Sequence, residues 1–168
     1  MNARFPSGIQ LANADEIDGI FEIEQRCFPG KIAYSKRQLE YLILNANSDC
    51  LVEKQDGIIR AFLIVTYRRR SLTCNIETID VDPAFKNKGI GLKLLEAAEI
   101  DMKRRGMHWS QLEVSEGNEA ALKLYRKAGY KFKERIEGYY KFEHNGSRNA
   151  IRMIKAIYSN RKALGRDP

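Results

Sequence analysis

The residues of chemical interest begin with Lys86-Asn87-Lys88-Gly89-Ile90-Gly91, a glycine-bearing turn that follows a strand-like run and opens a helix-like one. Such a turn aims several unpaired backbone N–H groups, and the positive end of a helix dipole, at one point, which suits an anion. Gly89 and Gly91 lack the Cβ atoms that would hold a phosphate away from those amides, and Lys86 and Lys88 add charge at the rim. A dinucleotide-binding turn would require a third glycine where Leu94 stands, and the GxxxxGK[ST] loop of nucleotide-binding proteins is absent. Taken bare, the two glycines fit equally a turn that serves only packing.

Proton-transfer candidates lie elsewhere. Glu113 stands between Leu112 and Val114, so strand alternation turns it away from the face those two occupy. A carboxylate in a partly desolvated cleft gains basicity and can accept a proton directly or through a water. Glu77 shares strand parity with Ile79 and Val81 and is a rival base or an anchor for an ammonium group, with an ion-paired surface role as its plain alternative. Tyr125 falls mid-helix, where a phenol can act as a general acid, although spacing alone gives a core tyrosine. Cys27, Cys50 and Cys74 are odd in number and form no CxxC pair, which predicts reduced thiols and neither a disulfide framework nor a metal site. Cys27 reads as half-buried and structural, because neither His108 nor His144 lies in a context that pairs with it.

The elements that must position these groups follow from periodicity and caps. Residues 8–12 read as a first strand, and Asn13 or Asp15 can cap a helix carrying Ile17, Ile20, Phe21 and Ile23 that stops before Pro29-Gly30. Ser35 and Gln38 form a capping box for a second helix with Leu39, Leu42, Ile43 and Ala46 on its apolar stripe. Strands follow at 50–53 and 58–67 around the Asp56-Gly57 hairpin signal, then an arginine turn at 68–70 and a strand at 75–81. Leu94, Leu95, Ala98 and Met102 give a helix after the glycine turn, and 111–114 a short strand. Asn118 caps a helix ending at Gly129, and strands at 130–142 and 150–157 are joined by a turn at 144–147. The order β, α, α, β, β, β, α, β, α, β, β predicts an α/β fold with a mixed sheet and helices on both faces.

At 168 residues the chain suits one domain, expected over 1–158, with a basic C-terminal tail at 159–168. No apolar run approaches the ~18 residues of a membrane span and the opening residues lack a secretory h-region, so a cytoplasmic protein is expected. Lys plus Arg total 29 against 22 Asp plus Glu, a charge of +7 that favours anionic partners without naming one. A phosphate-rich cofactor, an acidic protein surface and a merely solvated basic face all fit. No aromatic-and-basic RNA-binding signature is evident, so nucleic acid is not the expected partner.

On these residues, Asp80-Val81-Asp82-Pro83-Ala84-Phe85-Lys86-Asn87-Lys88-Gly89-Ile90-Gly91-Leu92-Lys93-Leu94-Leu95 resembles the GNAT superfamily of acetyl-CoA-dependent acetyltransferases. The signature of that superfamily is Arg or Gln, two residues, Gly, one residue, then Gly or Ala, after a strand that ends near a proline. Lys86 stands in the Arg or Gln position and keeps the charge while losing the planar fork. The resemblance spans about residues 9–157 and implies the GNAT-type fold, with acetyl-CoA as cofactor and no metal. It further implies that Ile79, Asp80 and Val81 run beside the pantetheine arm, the backbones of Ile79 and Val81 pairing with its amides like an added strand. Lys88 to Lys93, Gly89, Ile90, Gly91 and Leu92 among them, would then surround the pyrophosphate, with Lys86 and Asn87 also counted as cofactor-binding.

Leu112-Glu113-Val114, then Asn118, then Ala121 to Tyr130 are similar to the bacterial ribosomal-protein N-terminal acetyltransferase branch. That similarity implies Glu113 as base, Tyr125 as acid beside the cofactor, and Asn118 on the cofactor arm; other members use a glutamate on the earlier strand, which keeps Glu77 in view. Phe28-Pro29 with Tyr34, and Tyr139-Tyr140, are similar to the loop and tyrosine pair with which protein N-terminal acetyltransferases line the pocket for the leading residue and bond the peptide backbone. Each of these aromatics alone reads as an ordinary core or hairpin residue. The implied activity is acetyl transfer to the N-terminal α-amine of a protein or peptide, ribosomal proteins included, by direct attack in a ternary complex of a monomer or weak dimer. An α-amine, with an ordinary pKa of about 7.7 to 8.0, asks less of a base than lysine at about 10.4. Transfer to a small amine such as a polyamine or aminoglycoside, and a non-catalytic acyl-CoA-binding module, are the alternatives.

Overall fold

The computed structural model describes residues 5–158, so the basic tail expected at 159–168 lies outside the described residues. The chain forms two compact units, one of the residues up to Thr66 with Glu77–Ala98, the other of Tyr67–Ile76 with the residues from Glu99 on.

In the first unit, β1 (Ile9–Leu11) pairs antiparallel with β2 (Ser48–Gln55), and β2 antiparallel with β3 (Ile58–Arg68). Asp56 and Gly57 take φ of 52° and 79°, the left-handed pair that a two-residue hairpin requires. Asn13 caps a 3-10 turn at Ala14–Glu16 through a reciprocal box with Glu16, and α1 (Ile17–Cys27) continues from it. Ser35 and Gln38 form the expected box at the start of α2 (Lys36–Leu44). The two helices lay Ile20, Ile23 and Leu39 against Cys50, Val52, Phe62 and Ile64, the buried core of this unit. Beyond β3 comes the latter part of β4 (Thr73–Val81), which leads through a 3-10 turn at Pro83–Phe85 to the start of α3 (Ile90–Arg104).

The second unit pairs the first part of β4, Thr73 to Ile76, in parallel with β5 (Trp109–Ser115). α4 (Glu119–Lys127) follows, and then β6 (Lys131–Ile136) and β7 (Ala150–Ala156). β7 inserts antiparallel between β5 and β6, so the last strand in sequence is not the last in space. The hydrogen-bonded order is β1-β2-β3-β4-β5-β7-β6, the mixed α/β sheet flanked by helices that the element order implies.

One expected strand is shorter than its sequence suggests. A strand over 130–142 is predicted, yet β6 ends at Ile136. Gly138 donates its N–H to Asn149 Oδ1 at 2.9 Å instead of to a ladder partner, and 137–149 folds as a long loop. Side-chain bonds from outside the run outweigh its aromatic strand propensity.

Among the described residues no helix is long and apolar enough to cross a membrane. Phe62 is wholly buried in the core of the first unit. Phe62→Ala should lower unfolding free energy by about 3–5 kcal/mol in urea titrations, and a loss under about 1 kcal/mol would show that the core collapses around the gap.

Candidate active site

From Glu77 to Val81, β4 is the last strand of the first unit's sheet, and such an edge presents a row of backbone N–H and C=O groups to an extended ligand. Ile79 and Val81 share one side of this run, and Asp80 turns its side chain to the other. The Val81 carbonyl receives the Cys27 thiol at 3.3 Å. Burial and the nearby Asp80 carboxyl push that thiol up to about 12, which fits the structural role expected of it.

After the strand, Asp82 Oδ1 accepts the Ala84 N–H at 2.9 Å and Oδ2 lies 2.8 Å from Arg26, fixing the chain's exit. Lys86, Asn87, Lys88 and Gly89 are exposed, while Ile90 and Gly91 are buried. Gly89 has φ of +75°, the left-handed region a side chain rarely adopts, and apart from its chain neighbours no atom lies within 4 Å of where a Cβ would stand. The turn thus requires glycine and opens onto free space. Lys93 N–H bonds the Gly89 carbonyl at 3.1 Å, so the amides of Ile90, Gly91 and Leu92 stand outside the ladder of α3. Lys88 lies over the Phe85 ring at 5.4 Å, whereas Lys93 turns to the buried Glu53 at 3.6 Å. An edge strand followed by a left-handed glycine and three free amides fits the extended amide arm and pyrophosphate of coenzyme A.

Glu77 also belongs to this unit, and its Oε1 accepts the Thr66 hydroxyl at 2.7 Å. So does the segment 28–35. Glu24 of α1 holds both its ends, its backbone carbonyl accepting the Phe28 N–H and its Oε1 the Tyr34 N–H, each at 2.8 Å. Pro29 caps the short turn Gly30–Ile32 between them.

The remaining candidates stand on the second unit. Glu113 on β5 lies opposite Arg152 on β7, and Arg152 Nε donates to Glu113 Oε1 at 2.8 Å while its Nη1 donates to Glu134. Nothing in local sequence links residues 113 and 152, so this partner escapes a reading along the chain. Asn118 caps α4, its Oδ1 accepting the Ala121 N–H at 3.1 Å. Tyr125 is buried, its ring edge-on to Tyr130 at 6.0 Å.

Tyr139 and Tyr140 meet edge to face at 4.9 Å, and Tyr140 stacks on His144 at 4.0 Å. Their loop is organised by Glu116, which sequence patterning leaves unmarked. Its carboxylate accepts from Arg135 Nε at 2.6 Å, and from Ser147 Oγ and Asn149 Nδ2 at 2.7 Å each. Gly117 packs so tightly that a Cβ there would stand 2.1 Å from the Asn145 carbonyl oxygen.

The acetyltransferase (GNAT) family model matches residues 17–130, and the chain belongs to that family. Proteins of this family are acetyl-CoA-dependent acetyltransferases. The chain is 30% identical over 156 residues to the [ribosomal protein bS18]-alanine N-acetyltransferase of Haemophilus ducreyi, covering 89% of this chain and 99% of that one. The crystal structure of the ribosomal-protein-S18-alanine N-acetyltransferase from Escherichia coli superposes with a TM-score of 0.81 at 25% identity, over 94% of this chain and 97% of that one. An uncharacterized N-acetyltransferase of Methanocaldococcus jannaschii is 35% identical over 89% of this chain but is matched over 66% of its own length. Two further relatives are matched over 41% and 50% of theirs.

The hydrogen bonds from Arg135, Asn149 and Ser147 hold the Glu116 carboxyl down at about 2. A depressed carboxyl stabilises the folded state above its ordinary range, and that contribution is lost as pH falls toward 2. Glu116→Gln should therefore flatten the fall in melting temperature between about pH 4.5 and 2, and a variant as acid-sensitive as the parent would show that the network adds nothing.

Proposed function

We propose that this protein transfers the acetyl group of acetyl-CoA to the N-terminal α-amine of a protein or peptide, with residues 1–158 acting as one catalytic domain in the cytoplasm. The observation that carries the reading is the β4 edge running into the left-handed turn at Gly89, together with 28–35 held at both ends by Glu24. The family match runs through both units, and relatives matched along nearly their full length are N-acetyltransferases of ribosomal protein bS18 by name. They make a ribosomal protein the first acceptor to test.

When bound, acetyl-CoA supplies an activated thioester acyl group. The backbones of Ile79 and Val81 would pair with its amides, Lys86 and Lys88 would face its phosphates, the amides of Ile90, Gly91 and Leu92 would take the pyrophosphate, and Asn118 would contact the arm. Glu113, oriented by Arg152 at Oε1, removes the proton from the acceptor amine. Glu77, bonded by the neutral Thr66 hydroxyl, is the second candidate for that proton. Tyr125 would supply the proton that the cofactor's thiolate needs when it leaves. Phe28, Pro29 and Tyr34 line the pocket for the leading residue, and Tyr139 and Tyr140 bond the peptide backbone. An α-amine suits this arrangement because a large share of it is already neutral near pH 8.

A panel of peptides with different first residues, set against polyamines and assayed by thiol release from acetyl-CoA, tests the acceptor. Peptides should be acetylated and polyamines not; the reverse would move the reading to small amines. Glu113→Gln and Tyr125→Phe should each cut turnover by about 100-fold or more while leaving coenzyme A affinity nearly intact. Unchanged turnover in both would remove them from the mechanism, and a loss confined to Glu77→Gln would transfer the base to β4.

A further inference from the structure

Glu24 and Asp80 are both 1% exposed, and they face each other between α1 and β4. Each carboxyl has one oxygen supplied with a donor: Tyr34 N–H bonds Glu24 Oε1, and Thr78 Oγ1 bonds Asp80 Oδ1, both at 2.8 Å. Each has a second oxygen, Glu24 Oε2 and Asp80 Oδ2, that is buried with no hydrogen-bond partner among the described residues. Two buried acceptors left without a donor on neighbouring carboxyls require one between them, and a single proton satisfies both.

We propose that Glu24 and Asp80 share one proton, and that this proton ties residues 28–35 to β4 as a positioning element for the acceptor amine. The second half rests on the acceptor reading above; the first half does not. The Phe28 end is held by the Glu24 backbone carbonyl and the Tyr34 end by its carboxyl, so whatever holds the carboxyl in place holds the Tyr34 end of the segment. Losing the proton would leave two buried carboxylates oxygen to oxygen, and the pair would separate.

The surroundings favour retention of the proton. Cys27 on α1 and Cys50 on β2 lie close enough to interact with Asp80, and both thiols stay protonated in their buried sites. Asp82 beyond β4 is bridged by Arg26, and Lys86 is the cation that bears on Asp80. Burial is the largest cause acting on each carboxyl and raises both above the ordinary range, with the Glu24 carboxyl adding to it at Asp80. For such a raised group, the stabilisation is complete below the ordinary carboxylate range and is lost as pH climbs through the raised folded-state value.

Asp80→Asn and Glu24→Gln each replace the shared proton with a permanent amide donor aimed at the opposite orphan, while keeping the acceptor that Thr78 or Tyr34 already uses. The double variant sets two amide NH2 groups against each other. Each single variant should lose the decline of melting temperature with rising pH and match or exceed the parent at pH 8, and the double should melt below both. Single variants that keep the parent's pH slope, or that melt as low as the double, would overturn the shared proton. Carboxyl 13C titration of the parent decides the same point without any variant: one carboxyl of the pair should stay protonated at pH 7, and two resonances at ionised positions would refute it.

The positioning role is read from kinetics with an acceptor peptide. Above the pH at which the proton leaves, KM for the peptide in the parent should rise by about tenfold per pH unit, because the competent fraction falls in that proportion. Asp80→Asn should show no such limb, and since both enzymes share the amine's own titration, their ratio isolates the pair. Parallel KM profiles beside a confirmed shared proton would reject the positioning role. A protein that acetylates no peptide would leave the melting and 13C results to decide the proton alone, and would count against the acceptor reading.

Discussion

Backbone amides need partners, and from Glu77 to Leu92 the chain runs with part of its main-chain hydrogen-bonding capacity turned outward. β4 ends as the last strand of its unit, the chain turns left-handed at Gly89, and α3 begins with three amides outside its own ladder. Such a segment holds its shape only if its neighbours fix it. Asp82 clamps the exit through Ala84 and Arg26, Thr66 bonds Glu77, and the buried Ile90, Leu94 and Leu95 anchor the helix start. A preorganised row of donors costs little to fill when an anion arrives, which is why a helix start after a rigid strand recurs as a phosphate site.

Much of this was legible in the sequence because its determinants are local. The Asp56-Gly57 turn, the Ser35 and Gln38 box, the Asn118 cap and the glycine turn each depend on residues within a few positions of one another, and the structure shows all of them. Periodicity also carried the element order. What stayed hidden depends on pairing across long separations. Arg152 reaches Glu113 only because β7 inserts beside β5, and the carboxylate of Glu116 holds residues 19 to 33 positions away. The loop at 137–149 illustrates the same limit: its aromatics favour a strand, and tertiary hydrogen bonds override them.

Asp80 shows how a correct grouping can conceal a second role. In sequence it sits with Ile79 and Val81 on the strand expected beside the cofactor, and its backbone remains part of that strand. Alternation nevertheless sends its side chain to the face covered by α1, where it meets Glu24 instead of solvent. A buried acid on a strand otherwise rich in β-branched residues is the one sign available along the chain, and only the fold supplies its partner.

The two segments read as lining the acceptor are each organised by one carboxyl, and the two carboxyls respond to pH in opposite directions. The Glu24 carboxyl holds the Tyr34 end of 28–35 and is raised by burial, so its contribution weakens as pH climbs. Glu116 holds 135, 147 and 149 through charge-assisted bonds and is depressed to about 2, so its contribution weakens as pH falls. Between those limits both segments are tied down together. The upper limit would matter more for the proposed catalysis, because rising pH also frees an acceptor amine, so a neutral nucleophile would gain while the segment proposed to position it loosened. On the proposed arrangement, a buried proton would limit one segment as pH rises, and an ion pair limits the other only as pH falls toward 2.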